Sequence, residues 1–302
     1  MADKHKVQKL PLRIGLRTVL LVVTVLCVAL GVWSTRSVRQ RRVVAAIQEL
    51  GGVVEYASDE ANSLQTFLAQ RLGPDFAFEI YSVDFSETDI HDGNLELISE
   101  LPSVVSVYLS STKVTGDGLE SLKRLTKLEN LSLDRTEVAN GSLSHIAALT
   151  SLRNLGLNHA KLIDDEGLQH LSKLRNLEHL TLWNTGTGDK GLKTISTLPK
   201  IRSVVAGGTK ITDDGLAYFR NNKTLENLVL QRTVVGDEGL QILSSLDKLN
   251  ELIVSETNVT DNGLGQIAKF KQLKKLSVSA NANVSRIAVQ ELRKQLPTVK
   301  VH

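Results

Sequence analysis

The chain has 302 residues, 41% of them apolar, 23% charged and only 4% aromatic, which suits a large core of aliphatic side chains and excludes a disordered polymer. A single cysteine, Cys27, excludes an intrachain disulfide framework and a zinc site built on paired cysteines. The net charge of +3 hides an asymmetry: residues 1–42 hold nine of the 36 Lys and Arg against one acid, Asp3, which leaves 27 basic and 32 acidic groups in the rest. A net acidic body repels phosphate backbones, so no nucleic acid is expected as a partner.

Residues 1–17 read as a basic N-terminal tail. Residues 18–35 (TVLLVVTVLCVALGVWST) carry no charge and are long enough to cross a bilayer core as one helix. Trp33, near the end of the run, suits the membrane-water interface. The segment reads as a single-pass signal anchor; the competing reading is a cleaved signal peptide with Ala29-Leu30-Gly31 as its small-residue site. Five basic residues precede the run and four follow it, so charge does not set the orientation. The default for a short tail and one apolar segment is an exported C-terminal bulk.

Residues 36–79 read as a juxtamembrane helix and N-terminal cap. The pattern predicts a helix over 37–50 ended by Gly51-Gly52, a short strand from Val53 to Tyr56, and a second helix from Ser63 to Leu72 before Gly73-Pro74.

From residue 80 to 302 the chain repeats itself. Aligned apolar pairs recur at Val83/Phe85, Val107/Leu109, Leu131/Leu133, Leu155/Leu157, Leu180/Leu182, Val204/Ala206, Leu228/Leu230, Leu252/Val254 and Leu276/Val278. The step is 24 residues except for one of 25, which places an insertion within Lys161 to Glu166; Val299/Val301 is a shortened last turn. Inside a unit, a period of three (Leu119, Leu122, Leu125, Leu128) gives way to a period of two (Leu131, Leu133). The first lines one side of a short helix or 3₁₀ turn, and the second fits a strand with alternate residues inward. Since one unit cannot bury such a stripe alone, the units stack into an α/β solenoid with a parallel sheet on one face and short helices on the other.

A column of acids precedes each helical leucine by three residues: Asp92, Asp165, Asp189, Asp213, Asp237 and Asp261, with Asn140 in a seventh place. Gly167, Gly191, Gly215, Gly239 and Gly263 complete the phrase DxGL. These side chains are expected to cap the helices they begin. Calcium is the alternative, but it needs several converging oxygens and each turn supplies only one or two carboxylates. No metal and no cofactor is expected.

The phrase LxxLxLxxT, at Leu128 to Thr136 and Leu225 to Thr233, resembles the leucine-rich repeat, and the resemblance covers residues 80–302. Thr112, Thr136, Thr185, Thr209, Thr233 and Thr257 stand where that family usually has Asn, which returns only at Asn281; Ala160 fills one place. The family's Asn ladder should therefore be looser here. With its basic leader and apolar segment, the whole arrangement resembles the membrane-anchored leucine-rich-repeat proteins of planctomycete bacteria. The Thr-Asp-x-Gly-Leu phrase alone also resembles the repeats of substrate-recognition subunits of ubiquitin ligases.

The resemblance implies a horseshoe whose concave sheet face is the recognition surface. On that face the alternation places Tyr108, Thr181, Val205, Val229 and Ile253 in one column, with Trp183 and Gln231 in the next. Val205, Val229 and Ile253 are expected to be exposed neighbours, with Trp183 beside Gly207-Gly208. Arg135, His159, Asn184 and Arg232 are expected as a polar rim. Such a patch suits a docking site, although β-branched residues also simply favour strands. The chain contains no HExxH, P-loop or GxSxG phrase, and His159 with His179 form a pair short of a third ligand. The expected function is therefore non-catalytic binding of a protein or peptide by a domain displayed from a bacterial inner membrane. The alternative is a structural cell-envelope solenoid that self-associates or binds polysaccharide.

Overall fold

The computed structural model describes residues 16–58, 62–270 and 272–302, so residues 1–15 of the expected tail lie outside the described residues. The chain divides into two compact units, one of residues up to Arg42 together with Ala61–Phe78, the other of Val43–Glu60 with Glu79–His302.

The apolar run and the helix expected after it are one element, α1 (Leu16–Glu49, 34 residues). No Gly or Pro stands between Val32 and Glu49, so the change from apolar to charged residues alters the wetted surface but not the backbone. Its apolar stretch has a mean hydropathy of 2.2, none of it buried by the chain, and is long and apolar enough to cross a membrane. Helix α2 (Ser63–Leu72) opens with a reciprocal cap: the Asn62 side chain accepts the Gln65 N–H at 2.9 Å, and the Gln65 side chain accepts the Asn62 N–H at 3.1 Å. Gly73, at φ 98°, ends it, and Pro74 begins a one-turn helix, α3 (Pro74–Ala77).

The second unit is built on one eleven-stranded sheet in chain order. Its strands are β1 (Val53–Tyr56), β2 (Ile80–Asp84), β3 (Ser106–Tyr108), β4 (Asn130–Ser132), β5 (Asn154–Gly156) and β6 (His179–Thr181). They continue as β7 (Ser203–Val205), β8 (Asn227–Val229), β9 (Glu251–Ile253), β10 (Lys275–Ser277) and β11 (Lys300–Val301). All neighbours from β2 onward are parallel, in the register Val107↔Leu131 and Val204↔Leu228 that the 24-residue step requires, with Leu155↔Leu180 across the one step of 25. β1 pairs antiparallel with β2 and covers the edge a first repeat would leave open. Val43, Val44 and Ile47 join the buried core beside it, and a side chain at Gly52 would lie 2.7 Å from Ile47 Cγ2.

Behind the sheet, Leu119 and Leu122 are buried from a 3₁₀ helix, Asp117–Arg124, and the inward pairs of every repeat are buried with them in one continuous core. Each fully buried leucine contributes about 1.5–3 kcal/mol.

The threonines form no ladder with one another, although Thr257 Oγ1 also reaches Asn281 Oδ1 in the next repeat at 3.3 Å. Each hydroxyl donates to the carbonyl three residues earlier in its own turn, as Thr112 to Leu109 at 2.7 Å, Thr185 to Leu182 at 2.9 Å and Thr233 to Leu230 at 2.7 Å. A hydroxyl has one proton, and the nearest carbonyl takes it. Asn281, with two groups to offer, does bridge repeats: Nδ2 donates to Val254 O at 2.9 Å, and Oδ1 accepts the Thr257 N–H at 2.6 Å.

The acid column also departs from expectation. Asp165, Asp189, Asp213, Asp237 and Asp261 are the first residues of their helices, and their carboxylates reach forward to the next repeat. Asp165 Oδ1 accepts the N–H groups of Gly188 at 2.6 Å and Gly191 at 2.9 Å. Asp189 accepts from Thr212 N and Oγ1, Asp213 from Gly236 N, Asp237 from Thr260 N and Oγ1, and Asp261 from Ser285 N. Asn140 bonds Asp164 in the same sense. Three of these helices receive caps from other residues: Thr212 accepts Asp214 N–H, Thr260 accepts Asn262 N–H and Asp164 accepts Glu166 N–H; those begun by Asp189 and Asp237 follow a glycine and have no side-chain cap.

The glycine of DxGL follows from this staple. A side-chain carbon at Gly191 would lie 2.7 Å from Asp165 Oδ1, and at Gly215, Gly239 and Gly263 it would overlap the carboxylates of Asp189, Asp213 and Asp237. The phrase therefore records a contact between successive turns.

At the first staple, burial pushes the Asp92 carboxyl upward, but bonds from the Thr115 hydroxyl and the N–H groups of Gly116, Gly118 and Thr115 outweigh it and hold the group below its ordinary 3.8. A depressed carboxyl stabilises the fold above its unfolded-state value and loses that contribution as pH falls through the folded-state value. Between about pH 6 and about pH 3, wild type should therefore lose more thermal stability than Asp92→Asn, which scanning calorimetry at stepped pH measures; parallel losses would contradict it.

One residue per repeat lies in the left-handed region: Glu87, Ser111, Arg135, His159, Asn184, Gly208, Arg232, Glu256 and Ala280, with φ from 54° to 66°. From Glu87 to Glu256 the turn aims the N–H at the next repeat, as Arg135 N to Asn158 O at 2.7 Å and His159 N to Trp183 O at 2.6 Å. Ala280 is exposed, and Ala280→Gly should raise stability by ~1 kcal/mol in thermal unfolding by relieving the left-handed strain. A loss of stability would contradict the strain argument.

Candidate functional site on the sheet face

Residues on either side of each inward strand residue emerge on the solvent face. The central column runs, by register, Tyr108, Ser132, Gly156, Thr181, Val205, Val229, Ile253. Val205 and Ile253 are half-buried, but Val229 retains only 9% of its surface. This corrects the expectation that Val229 is exposed: strands about 4.8 Å apart place Val205 and Ile253 against its two sides, and it becomes the floor of the stripe.

Trp183 is held from both sides. The Asp134 carboxylate accepts the Asn158 N–H at 2.8 Å and its side-chain amide at 2.9 Å, and Asn158 Oδ1 then accepts the Trp183 backbone N–H at 2.9 Å, which fixes the main chain that carries the ring. The six-membered ring of the indole lies over Gly207, where any side chain would overlap it. The half-buried tryptophan is thus fixed next to the valine stripe at little cost in rotamer entropy on binding.

The strand-entry column, which the sequence reading left out, is polar. Asn130 donates to Ser106 Oγ at 2.8 Å and Asn154 donates to Asn130 Oδ1; Glu251 joins Lys275 at 2.6 Å and Asn227 Nδ2 at 3.3 Å. Asn227 Oδ1 is buried and has no hydrogen-bond partner. Outside this column, Arg153 pairs with Glu129 and Glu178, and Arg202 with Glu226. The face therefore divides into a half whose polar groups satisfy one another and an apolar half bordered by Trp183.

Two depressions flank these halves. Tyr108, Ser132, Asn154, His179 and Thr181 surround the bare Gly156 in a cavity of about 220 Å³. Arg135, Thr136, Glu137, His159, Lys161 and Leu162 line another of about 560 Å³. Leu162, 58% exposed, lies in the one-residue insertion, the only signal that could have drawn attention to it. Gln231 and Arg232 are both tied to Glu256, at 2.6 and 2.8 Å. The Arg232 and Gln231 bonds hold the Glu256 carboxyl below its usual range.

The two histidines are not a pair. His179 shares a register with Asn154 and Ser203, whereas His159 sits in the left-handed column, its Nδ1 3.4 Å from Asn184 Nδ2. Among the described residues no three His, Cys, Asp or Glu side chains come together as a metal site.

The family described as leucine-rich repeat region matches residues 84–301. No curated protein matches the chain. Among solved structures, internalin C2 of Listeria monocytogenes is similar, with 20% identity, a TM-score of 0.57, and coverage of 72% of this chain and 92% of that one. A leucine-rich-repeat protein of Leptospira interrogans matches at 19% identity and a TM-score of 0.48, over 68% of this chain and 56% of its own length.

Proposed function

Since the chain belongs to the leucine-rich repeat region family, whose domains generally mediate protein–protein interaction, we propose that it is a non-catalytic binding module that takes an extended segment of another protein across its sheet face. The observation that carries this reading is Trp183, seated on Gly207 and tethered through Asn158, beside the stripe of Val205, Val229 and Ile253. A fixed aromatic next to apolar surface is the usual composition of a binding hot spot. The notch over Gly156 fits one side chain. Tyr108, Thr181, Arg135, His159, Gln231 and Arg232 border this path.

Display from a membrane by α1, with the repeats outside the cytoplasm of a bacterium, is part of the same proposal and is supported by the unburied apolar stretch of that helix.

A photocrosslinking amino acid at Thr181, on the face, and another at Lys193, on an exposed helix position, test the reading in the native host. A partner captured from 181 alone and lost with Trp183→Ala is the expected result. Capture only from 193 would contradict the site, and a crosslink from 181 to a second copy of the chain would favour a self-associating envelope solenoid.

A further inference from the structure

We propose that α2 and α3 form an interfacial foot that lies on the lipid surface α1 enters and binds anionic headgroups; this rests on the reading of residues 18–35 as a membrane span. Helix α2 has no buried residue. Leu64, Phe67, Leu68, Arg71 and Leu72 recur at helical spacing and share one face. Leu68 is half-buried with Gln65 and Ala69, whereas Leu64, Phe67 and Leu72 remain 63%, 53% and 44% exposed. An exposed face of Leu and Phe on a ten-residue helix is unfavourable in water and favourable at the boundary of headgroups and acyl chains.

The height of this face is set by contacts within the same unit. Trp33, at the end of the apolar run, meets the ring of Phe76 edge-on at 5.7 Å. Arg41 lies over that ring at 5.0 Å, donates to Leu72 O at 2.6 Å and approaches Asp75 at 3.7 Å. Gln40 donates to Phe78 O at 2.8 Å. α3 and the end of α2 are thereby held at the level where the bilayer core would end, the level an indole prefers.

The charge at that level is mostly positive: among the described residues of this unit, Arg39 and Arg71 stand with the Arg41–Asp75 pair. The Arg71 guanidinium lies 5.8 Å over the Phe67 ring, so a cation sits directly on the apolar face, with its stem along the rings and its head free to reach a phosphate. Apolar contact with cations around it selects an anionic lipid surface rather than a neutral protein groove.

Spin labels on the full chain in phosphatidylcholine vesicles with phosphatidylglycerol test this, one label at native Cys27 and, in a Cys27→Ser background, others at Leu64→Cys and Thr66→Cys. Collision with oxygen, concentrated in lipid, is compared with collision with a neutral water-soluble nickel complex. The expected result is lipid exposure at 27 and 64, with nickel access several-fold lower at 64 than at 66, and a smaller difference in phosphatidylcholine alone. Equal nickel access at 64 and 66 with 27 in lipid would overturn the foot and leave the anchor standing. Nickel access at 27 would overturn the anchor and the foot together. Protection from both reagents at 64 would mean a protein contact and overturn the lipid assignment, and identical behaviour in both vesicles would overturn the anionic headgroup.

Discussion

Asp237→Ala is expected to lower the stability of the C-terminal repeats by about 3 kcal/mol, because the lost carboxylate accepts two bonds from the following turn and charged bonds contribute about 1.5–3 kcal/mol each. Thr260 N–H and Oγ1 donate to it at 2.8 and 2.6 Å, and Thr260 in turn caps Asp261–Ile267 through Asn262 N–H at 3.2 Å. The damage should therefore appear in the next repeat, as faster amide exchange from Thr260 to Leu264, with a lower urea midpoint. Asp247→Ala is the control: its pair with Lys223, at 3.4 Å between two exposed groups, should contribute no more than about 0.5 kcal/mol. Equal losses from the two variants would contradict the staple.

Leu230→Asp should unfold the repeat around it, costing more than about 4 kcal/mol, because it places an unpaired charge in a site with no exposed surface. Val205→Asp, on the solvent side of β7, should cost about 1 kcal/mol or less, the span of strand preference at a half-buried site. Chemical denaturation of both variants reads the sidedness of the sheet, and equal damage would contradict it. Val229→Asp should fall between them, since Val229 is on the solvent face yet almost covered; it is a poor probe of binding for that reason.

These cases mark what is readable from residues alone. The 24-residue period places every inward pair, because a parallel register with identical steps has one solution once the strand phase is known. The acid and glycine columns are equally visible, but a reading confined to one turn joins Asp165 to Gly167. The contact that explains both columns joins Asp165 to Gly191, one repeat on.

Alternation says which way Val229 points and not how much area its neighbours leave, which depends on the size of Val205 and Ile253. The left-handed column carried almost no signal, since only Gly208 and Asn184 are residue types that favour it; the bonds to the next strand impose it on Arg135, His159 and Arg232. Trp183 beside Gly207 was legible as a candidate from the aligned repeats, but the tether of its backbone to Asn158 arises only when the repeats are stacked.

Binding through this face is tested most directly by the affinity of Trp183→Ala for the partner captured from position 181, measured together with its denaturation midpoint. The expected result is a loss of at least about tenfold in affinity with less than ~1 kcal/mol of lost stability, as for a hot-spot tryptophan. Unchanged affinity in a folded variant would contradict the sheet-face site.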